Sequence, residues 1–212
     1  MGGPCYVVLS DATPTTALTH VTTPATALTK CQKVLGPECT DNFQVVRFSF
    51  EGQEYWSAEQ AFQGCKFQEG SKGRQRVLSV TPRVGESSSQ HGMRCWSEGQ
   101  TGKEDRTPLW DAVKVKVMLE VNRAKYRQHE DLRAQLLSTG SAELRGGPST
   151  SWAHNGVDHN WSYWNGIIQM LIREEIREQL NEAGGTGERR DGEPSVMLHR
   201  LRSLVEEYAG AS

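Results

Sequence analysis

The chain has 212 residues and a formal net charge of −2, with 24 lysines and arginines against 26 aspartates and glutamates. This balance excludes a dedicated nucleic-acid binder, which would be clearly basic, so we expect no stable grip on nucleic acid and at most a locally contacted substrate. The sequence has no apolar run long enough to span a bilayer and no secretory signal, which predicts an intracellular, cytoplasmic protein, with a nuclear location also open.

Cysteine and histidine spacings do not predict a metal site. The five cysteines are odd in number and scattered, and no pair has the short spacing of metal ligands, so they are interpreted as free thiols. His154, Asp158 and His159 match no zinc pattern. We therefore expect no metal and no other cofactor.

Residues 1–40 are rich in Thr, Ala and Pro and predict a partly irregular N-terminal arm. Within this arm, CYVVLS fits a short strand, whereas DATPTTALTHVTTPATALT is typical of a loop. The main domain is expected over residues 41–183. Its first stretch, NFQVVRFSF at 42–50, predicts a strand, and a turn at Glu51–Gly52 leads into a second strand over 53–56.

The stretch YWSAEQAFQGCKF is the most informative part of the chain. Ser57 and Gln60 form a capping-box pattern that predicts a helix from Ala58, and the dipole of that helix favours the ionised form of Glu59. Four of its residues share one face through i, i+3, i+4, i+7 spacing: Glu59, Phe62, Gln63 and Lys66. This face fits the wall of a polar ligand pocket. It also fits an ordinary helix in which an acid complements the dipole and a lysine is solvated.

The next elements are predicted from local signals of unequal strength. Residues 70–106 predict loops around short helical pieces. Thr107 as N-cap and Pro108 at the first helical position predict a helix that runs to about Arg127. The stretch EDLRAQLLSTG then predicts a second helix that stops at Gly140.

Tryptophans mark two further places. Trp110 and Lys114 lie four apart near the start of the first of these helices, and we interpret them as packing and surface charge. Residues 145–165 carry Trp152, Trp161 and Trp164 among turn residues. Such a loop either covers the edge of a core or stacks on a planar ligand.

The remainder of the chain predicts helices. Residues 166–180 are apolar almost all round at their start, which is typical of a buried central helix. Residues 184–193 predict a flexible linker. A C-terminal helix over 194–212 either packs back on the domain or binds a partner. These elements predict an α+β protein, a mainly α-helical single domain with a small β-sheet from strands within 44–55.

Three blocks of the sequence resemble the NADAR (YbiA-like) family. They are EGQEYWSAEQAFQGCKF, LWDAVKVKVMLEVNRAKYRQHEDLRAQLLSTG, and the pair SWAHN and NGIIQMLIREEIRE, which together cover about residues 42–178. Known members resemble N-glycosidases: some act on intermediates of riboflavin synthesis, and others remove ADP-ribose from guanine bases. The resemblance implies the YbiA-like fold and an N-glycosidase activity.

The resemblance also implies roles for individual residues. Glu59 corresponds to the catalytic carboxylate and Lys66 to the lysine of the same motif, while Trp110 and Trp152 correspond to the tryptophans of two further motifs. Glu59 and Lys66 are the expected catalytic residues. The expected substrate-binding residues are Trp110, Trp152, Phe62, Gln63, Asn42, Phe43 and Asn165. The chain departs from the family pattern where Ser149 replaces Asp, Ala153 replaces Gly and Gln60 replaces His. A fourth departure is at Tyr163, in place of the Asn of the last motif, for which Asn165 or Asn160 is the alternative.

We therefore expect a metal-free N-glycosidase whose favoured substrate is ADP-ribosylated guanine in nucleic acid or in a nucleotide. Riboflavin-type intermediates are the alternative substrate. A module that binds ADP-ribose without cleaving it is a second alternative, and an interaction protein that acts through its C-terminal helix is a third.

Overall fold

The computed structural model describes residues 3–9, 32–183 and 196–210. The predicted loop at 11–29 and the predicted linker at 184–193 lie outside the described residues. The described part confirms the α+β class, with mainly helical structure and small sheets. The seven strands are β1 Tyr6–Leu9, β2 Gln32–Leu35, β3 Phe48–Phe50, β4 Gln53–Tyr55, β5 Glu143–Arg145, β6 Ser151–His154 and β7 Val157–Asn160. The seven α-helices are α1 Ala58–Cys65, α2 Lys72–Leu78, α3 Ser88–Glu98, α4 Trp110–Gln128, α5 Glu130–Leu137, α6 Trp161–Ala183 and α7 Val196–Gly210.

The strands form one three-stranded antiparallel sheet and two hairpins. The strand predicted in CYVVLS is β1, which pairs with β2 on one side and with β5 on the other, so that Val7 lies opposite Val34 and Leu144. This sheet was not expected from the sequence, because its strands are distant along the chain. The domain boundaries at 40, 183 and 193 stay predictions.

The hairpin before α1 is shorter than predicted. Only Phe48–Phe50 of the expected 42–50 strand pairs with β4. The reason lies at Asp41, whose carboxylate accepts from the Phe43 N–H at 2.8 Å, while its carbonyl accepts from the Gln44 N–H at 3.2 Å. These bonds favour a turn over an extended strand. The turn at Glu51–Gly52 is confirmed, and both residues have left-handed φ values, of 49° and 75°.

Helix α4 begins at Trp110, so the predicted start at Pro108 with Thr107 as N-cap is wrong. The Thr107 N–H donates to the Lys66 carbonyl at 2.8 Å, and Leu109 adopts a left-handed conformation with φ 58°. Helix α5 ends at Leu137, three residues before the predicted stop at Gly140, which has φ +57° in the turn that follows.

The tryptophan-rich stretch is more regular than the predicted loop. It forms the β6–β7 hairpin and then enters α6 five residues earlier than expected, at Trp161. The side chain of Asn160 accepts from the Tyr163 N–H at 2.8 Å, which satisfies one of the free donors of the first turn. Trp161 and Trp164 therefore lie on a helix.

Helices α4, α6 and α7 pack around a common core. Four side chains of α7 are buried in it: Leu198, Leu201, Val205 and Tyr208. Of the two alternatives for the C-terminal helix, the structure therefore supports packing on the domain. No helix of the described residues is long and apolar enough to cross a membrane.

Candidate active site

The first turn of α1 is fixed by its flanking polar side chains. Ser57 Oγ accepts from the Gln60 N–H at 3.1 Å, as predicted, but the Gln60 side chain accepts from the Trp56 N–H at 2.7 Å and not from Ser57. The Gln60 amide also donates to the carbonyls of Val77 and Val80, at 3.0 and 2.8 Å. Position 60 therefore holds α1 to the end of α2.

Glu59 lies in this turn and is completely buried. Its Oε1 accepts from Gln63 Nε2 at 2.7 Å, whereas its Oε2 has no hydrogen-bond partner among the described residues. Burial raises the pKa of Glu59 to about 7, against the opposing effects of the Gln63 bond and the Lys66 charge. Burial thus opposes the predicted effect of the helix dipole, which favours the ionised form but contributes only about 0.3–1 kcal/mol, whereas burial of a carboxylate costs several kcal/mol.

Gln63 and Lys66 both contact Gly99, which follows α3. Lys66 Nζ donates to the Gly99 carbonyl at 3.0 Å, and a Cβ at position 99 would lie 1.9 Å from Gln63 Oε1. Lys66 is buried, so the solvated alternative is wrong. Burial first, and then the nearby charges of Arg106 and Lys114, lower its pKa to about 8, against the opposing effect of the Glu59 carboxylate.

Three aromatic rings lie beside this polar face. The Phe62 ring centroid is 5.0 Å from that of Trp110 and 5.1 Å from that of Trp161. All three residues are buried in the main core. They give the site an apolar side next to Glu59, which belongs to the same helix as Phe62.

Trp152 and Lys114 form a second part of the site. Lys114 Nζ lies 4.0 Å from the centre of the Trp152 ring and donates to Asp111 Oδ1 at 2.7 Å. Lys114 is buried, so its interpretation as a surface charge is wrong. The Trp152 ring also stacks on His159, with centroids 5.6 Å apart, and lies 4.9 Å from Trp161. A planar ligand that stacks on Trp152 must displace one of these contacts.

Asn42 and Asn165 belong to a buried network of amide groups. Asn42 Nδ2 donates to Asn165 Oδ1 at 3.1 Å, and Asn122 Nδ2 donates to Asn42 Oδ1 at 3.0 Å. Gln169 then donates to Asn122, at 3.2 Å, and accepts from the Tyr126 hydroxyl at 2.6 Å. The Glu59 N–H donates to the Asn42 carbonyl at 2.8 Å, so the network reaches the candidate catalytic residue.

The sequence analysis missed Asn122 and Gln169. The signal for both is a polar residue inside an apolar helical stripe, since each lies between buried apolar residues of α4 or α6. The Phe43 ring packs on α3, where a Cβ on Gly92 would lie 2.2 Å from it.

A small cavity of about 10 Å³ lies next to the amide network. Asn42, Asn165, Trp161 and Ser149 contribute to its lining. Its volume fits one water molecule. Ser149 Oγ is buried and has no hydrogen-bond partner within residues 3–9, 32–183 and 196–210. Ser149 therefore lies beside two of the predicted substrate-binding residues.

Metal-binding clusters and disulfides are absent from the described part of the chain. His154 and His159 instead pack against the ring of Tyr208, at centroid distances of 4.9 and 5.0 Å. Four cysteines are free thiols, namely Cys5, Cys39, Cys65 and Cys95, and Cys31 lies outside the described residues.

Comparison with known proteins identifies the family. The NADAR domain model matches residues 20–177. The chain belongs to the NADAR domain family. N-glycosidase YbiA of Escherichia coli (strain K12) is 32% identical over 154 residues, which cover 66% of this chain and 79% of the relative. N-glycosidase Npun_R5314 of Nostoc punctiforme is 27% identical over 147 residues, which cover 69% of this chain and 90% of the relative.

A solved structure supports the NADAR fold. The NMR structure of E. coli YbiA has a TM-score of 0.54 and 24% identity, and the match covers 73% of this chain and 84% of that one. The predicted family and fold are therefore confirmed. The NADAR match ends at residue 177, so α7 lies outside it.

Proposed function

We propose that this NADAR protein is an N-glycosidase that hydrolyses the C1′–N bond of ADP-ribosylated guanine, with Glu59 as the catalytic carboxylate. The observation that carries the proposal is Glu59 itself, a fully buried acid with one oxygen held by Gln63 and the other without a partner among the described residues. A buried carboxylate with one oxygen that lacks a hydrogen-bond partner is costly to keep, which favours a functional role. The relatives named N-glycosidase support the reaction class.

The reaction needs a group that can change protonation near neutral pH. When the C1′–N bond breaks, the base leaves with the electron pair and positive charge develops on the sugar. Glu59 with a pKa of about 7 can stabilise this charge and accept a proton from the attacking water. Protonated Lys66 then holds a hydroxyl or phosphate group of the substrate as a point charge.

The charges around Glu59 favour a substrate that carries phosphates. Lys66 and Lys114 are buried, and Arg106, which is partly buried, has an Nε atom without a partner among the described residues. After burial, the charge of Arg106 contributes to the lowered pKa of both Lys66 and Lys114, and the charge of Lys114 contributes to that of Lys66, so the three cations are near one another. Asp111 already pairs with Lys114, so a diphosphate would balance the positive charge that is left, and ADP-ribose supplies one.

Aromatic side chains favour a planar base. Trp110 and Trp152 are proposed to hold it, because stacking on an aromatic ring is worth about 1–3 kcal/mol per base. Phe62, Gln63, Asn42 and Asn165 are proposed to contact the substrate as well, whereas Phe43 is proposed to act by fixing α3. Riboflavin-type intermediates also combine a ring with a phosphate, so they remain the alternative substrates.

The deciding experiment compares wild type with Glu59→Gln. An oligonucleotide ADP-ribosylated on guanine is incubated with each protein, and free ADP-ribose is followed by mass spectrometry. We expect release by the wild type and a loss of at least about 10³-fold in the variant, because Gln cannot accept the proton. Glu54→Gln, which changes an exposed acid in the preceding hairpin, is the matched control and should retain activity.

Two outcomes would change the proposal. Equal release by wild type and Glu59→Gln would exclude Glu59 as the catalytic residue. No release by the wild type would direct the assay to riboflavin-type substrates.

The non-catalytic alternative is favoured by Ser149, since the family pattern has an acid at that position. It predicts that ADP-ribose raises the melting temperature while no substrate is cleaved.

A further inference from the structure

Tyr208 of α7 contacts the same two residues that hold Lys114. Lys114 donates to the Asp111 carboxylate and lies over the Trp152 ring. The Tyr208 hydroxyl donates to the Asp111 carbonyl and accepts from the Trp152 indole N–H, at 3.1 Å in the second case. One hydroxyl therefore connects the first turn of α4 to the β6–β7 hairpin, on either side of Lys114.

The Tyr208 ring, like its hydroxyl, makes several contacts. It is buried, and its centroid lies 4.9 to 5.2 Å from those of His154, His159 and Trp164. The apolar residues of α7 that precede it belong to the main core together with Phe62 and Trp110. A helix that leaves the active site to activate the enzyme would not have its apolar residues buried in the main core. The packing of α7 therefore argues against an autoinhibitory role.

We propose that Tyr208 is a positioning residue that fixes Lys114 and Trp152 for binding a substrate diphosphate and base, and that α7 is thereby a wall of the active site. The proposal rests on the proposed function and adds to it an element beyond the NADAR match, which ends at residue 177. Lys114 is the group through which Tyr208 acts, because Lys114 contacts Asp111 and Trp152, the two residues that the Tyr208 hydroxyl joins.

The test uses Tyr208→Phe, which keeps the buried ring and removes only the hydroxyl. Tyr163→Phe is the matched control, because Tyr163 also borders Trp164 but is half exposed. We expect Tyr208→Phe to raise the KM for ADP-ribosylated guanine about three- to tenfold, an effect of the size of one hydrogen bond to the substrate, with kcat nearly unchanged. Tyr163→Phe should leave both constants at their wild-type values.

Two measurements on the full chain separate positioning from folding. In NMR spectra, the indole N–H resonance of Trp152 is assigned with the Trp152→Phe variant. Its chemical shift should change in Tyr208→Phe and should be unchanged in Tyr163→Phe. Inorganic pyrophosphate serves as the anion probe, and its Kd should rise about three- to tenfold in Tyr208→Phe and at least as much in Lys114→Gln.

The outcomes distinguish this proposal from the proposed function. Weaker pyrophosphate binding by Tyr208→Phe, in a protein that hydrolyses no ADP-ribosylated guanine, would support the positioning role and reject the substrate. An unchanged Kd and KM in Tyr208→Phe would overturn the positioning role, as would a gain of activity, which would indicate autoinhibition. Absence of pyrophosphate binding to the wild type, or wild-type affinity in Lys114→Gln, would also overturn it.

Discussion

The Gln63 amide donates a 2.7 Å hydrogen bond to Oε1 of Glu59, one helical turn earlier on α1. This bond orients a carboxylate that is otherwise surrounded by the core, and it leaves Oε2 as the free oxygen. Gln63 is itself held in place by its close approach to Gly99. The geometry of the candidate catalytic group therefore depends on the packing of α1 against the end of α3.

Burial of Glu59 predicts that the site destabilises the protein at neutral pH. The pKa of Glu59 is raised to about 7 in the folded state from 4.5. The folded protein thus binds a proton at Glu59 more tightly than the unfolded chain does. The contribution of this proton to the free energy of unfolding is fully present below pH 4.5 and is lost as the pH rises through 7. We expect Glu59→Gln to be more stable than wild type by on the order of 2 kcal/mol at pH 8 and to lose this advantage near pH 5. Urea unfolding at the two pH values measures the difference.

The control for this prediction is Glu54→Gln, whose effect should have the opposite sign. The Glu54 pKa is lowered, first by the hydrogen bond from Ser49, so its stabilising effect is present above 4.5 and is lost as the pH falls through the lowered value. This substitution should not stabilise the protein at pH 8. If Glu59→Gln showed the same stability difference from wild type at pH 5 and at pH 8, the raised pKa would be rejected.

The sequence predicts those features of the site that depend on local signals. The start of α1 at Ala58 follows from the Ser57 cap, and the shared face of Glu59 and Gln63 follows from helical spacing. The start of α4 does not follow from local signals. Leu109 takes a left-handed conformation two residues after Thr107, and Thr107 is hydrogen-bonded to Lys66, 41 positions earlier in the chain.

The features of the site that could not be predicted from the sequence arise from contacts between residues that are far apart along the chain. Lys114 is buried because the β6–β7 hairpin and Tyr208 of α7 meet over α4, and helical spacing alone gives it a surface position. The same holds for the protonation of Glu59, which is set by burial and not by its place in the first turn. A raised pKa of this kind requires knowledge of the whole core.

The two candidate catalytic groups predict a narrow pH profile. Glu59 must lose its proton, with a pKa of about 7, and Lys66 must keep its own, with a pKa of about 8. We expect a bell-shaped dependence of kcat/KM on pH with its maximum between these values, because activity falls below the first and above the second. Initial rates on ADP-ribosylated guanine at a series of pH values provide the measurement.

The alkaline limb is assigned by Lys66→Arg. A guanidinium stays protonated throughout this range, so the decrease above pH 8 should move to higher pH while the acid limb stays near 7. An acid limb near pH 4.5 in the wild type would contradict the assignment to a buried Glu59. An alkaline limb that does not move in Lys66→Arg would exclude Lys66 as its source.

Gly99→Ala tests whether the packing against α3 positions Glu59. Gly99 has φ −69°, which alanine adopts without strain, so the new methyl group acts mainly through its 1.9 Å approach to Gln63 Oε1. Gln63 must move and release Glu59, and we expect kcat to fall about 10- to 100-fold, as for a displacement of about 1 Å at a catalytic group. Gly64→Ala is the control on α1, since its Cβ would meet the Tyr55 ring at an ordinary 3.4 Å and alanine favours a helix. Single-turnover rates, with circular dichroism to confirm the fold, measure both variants. Equal rates in Gly99→Ala and wild type would show that Glu59 keeps its position without Gln63.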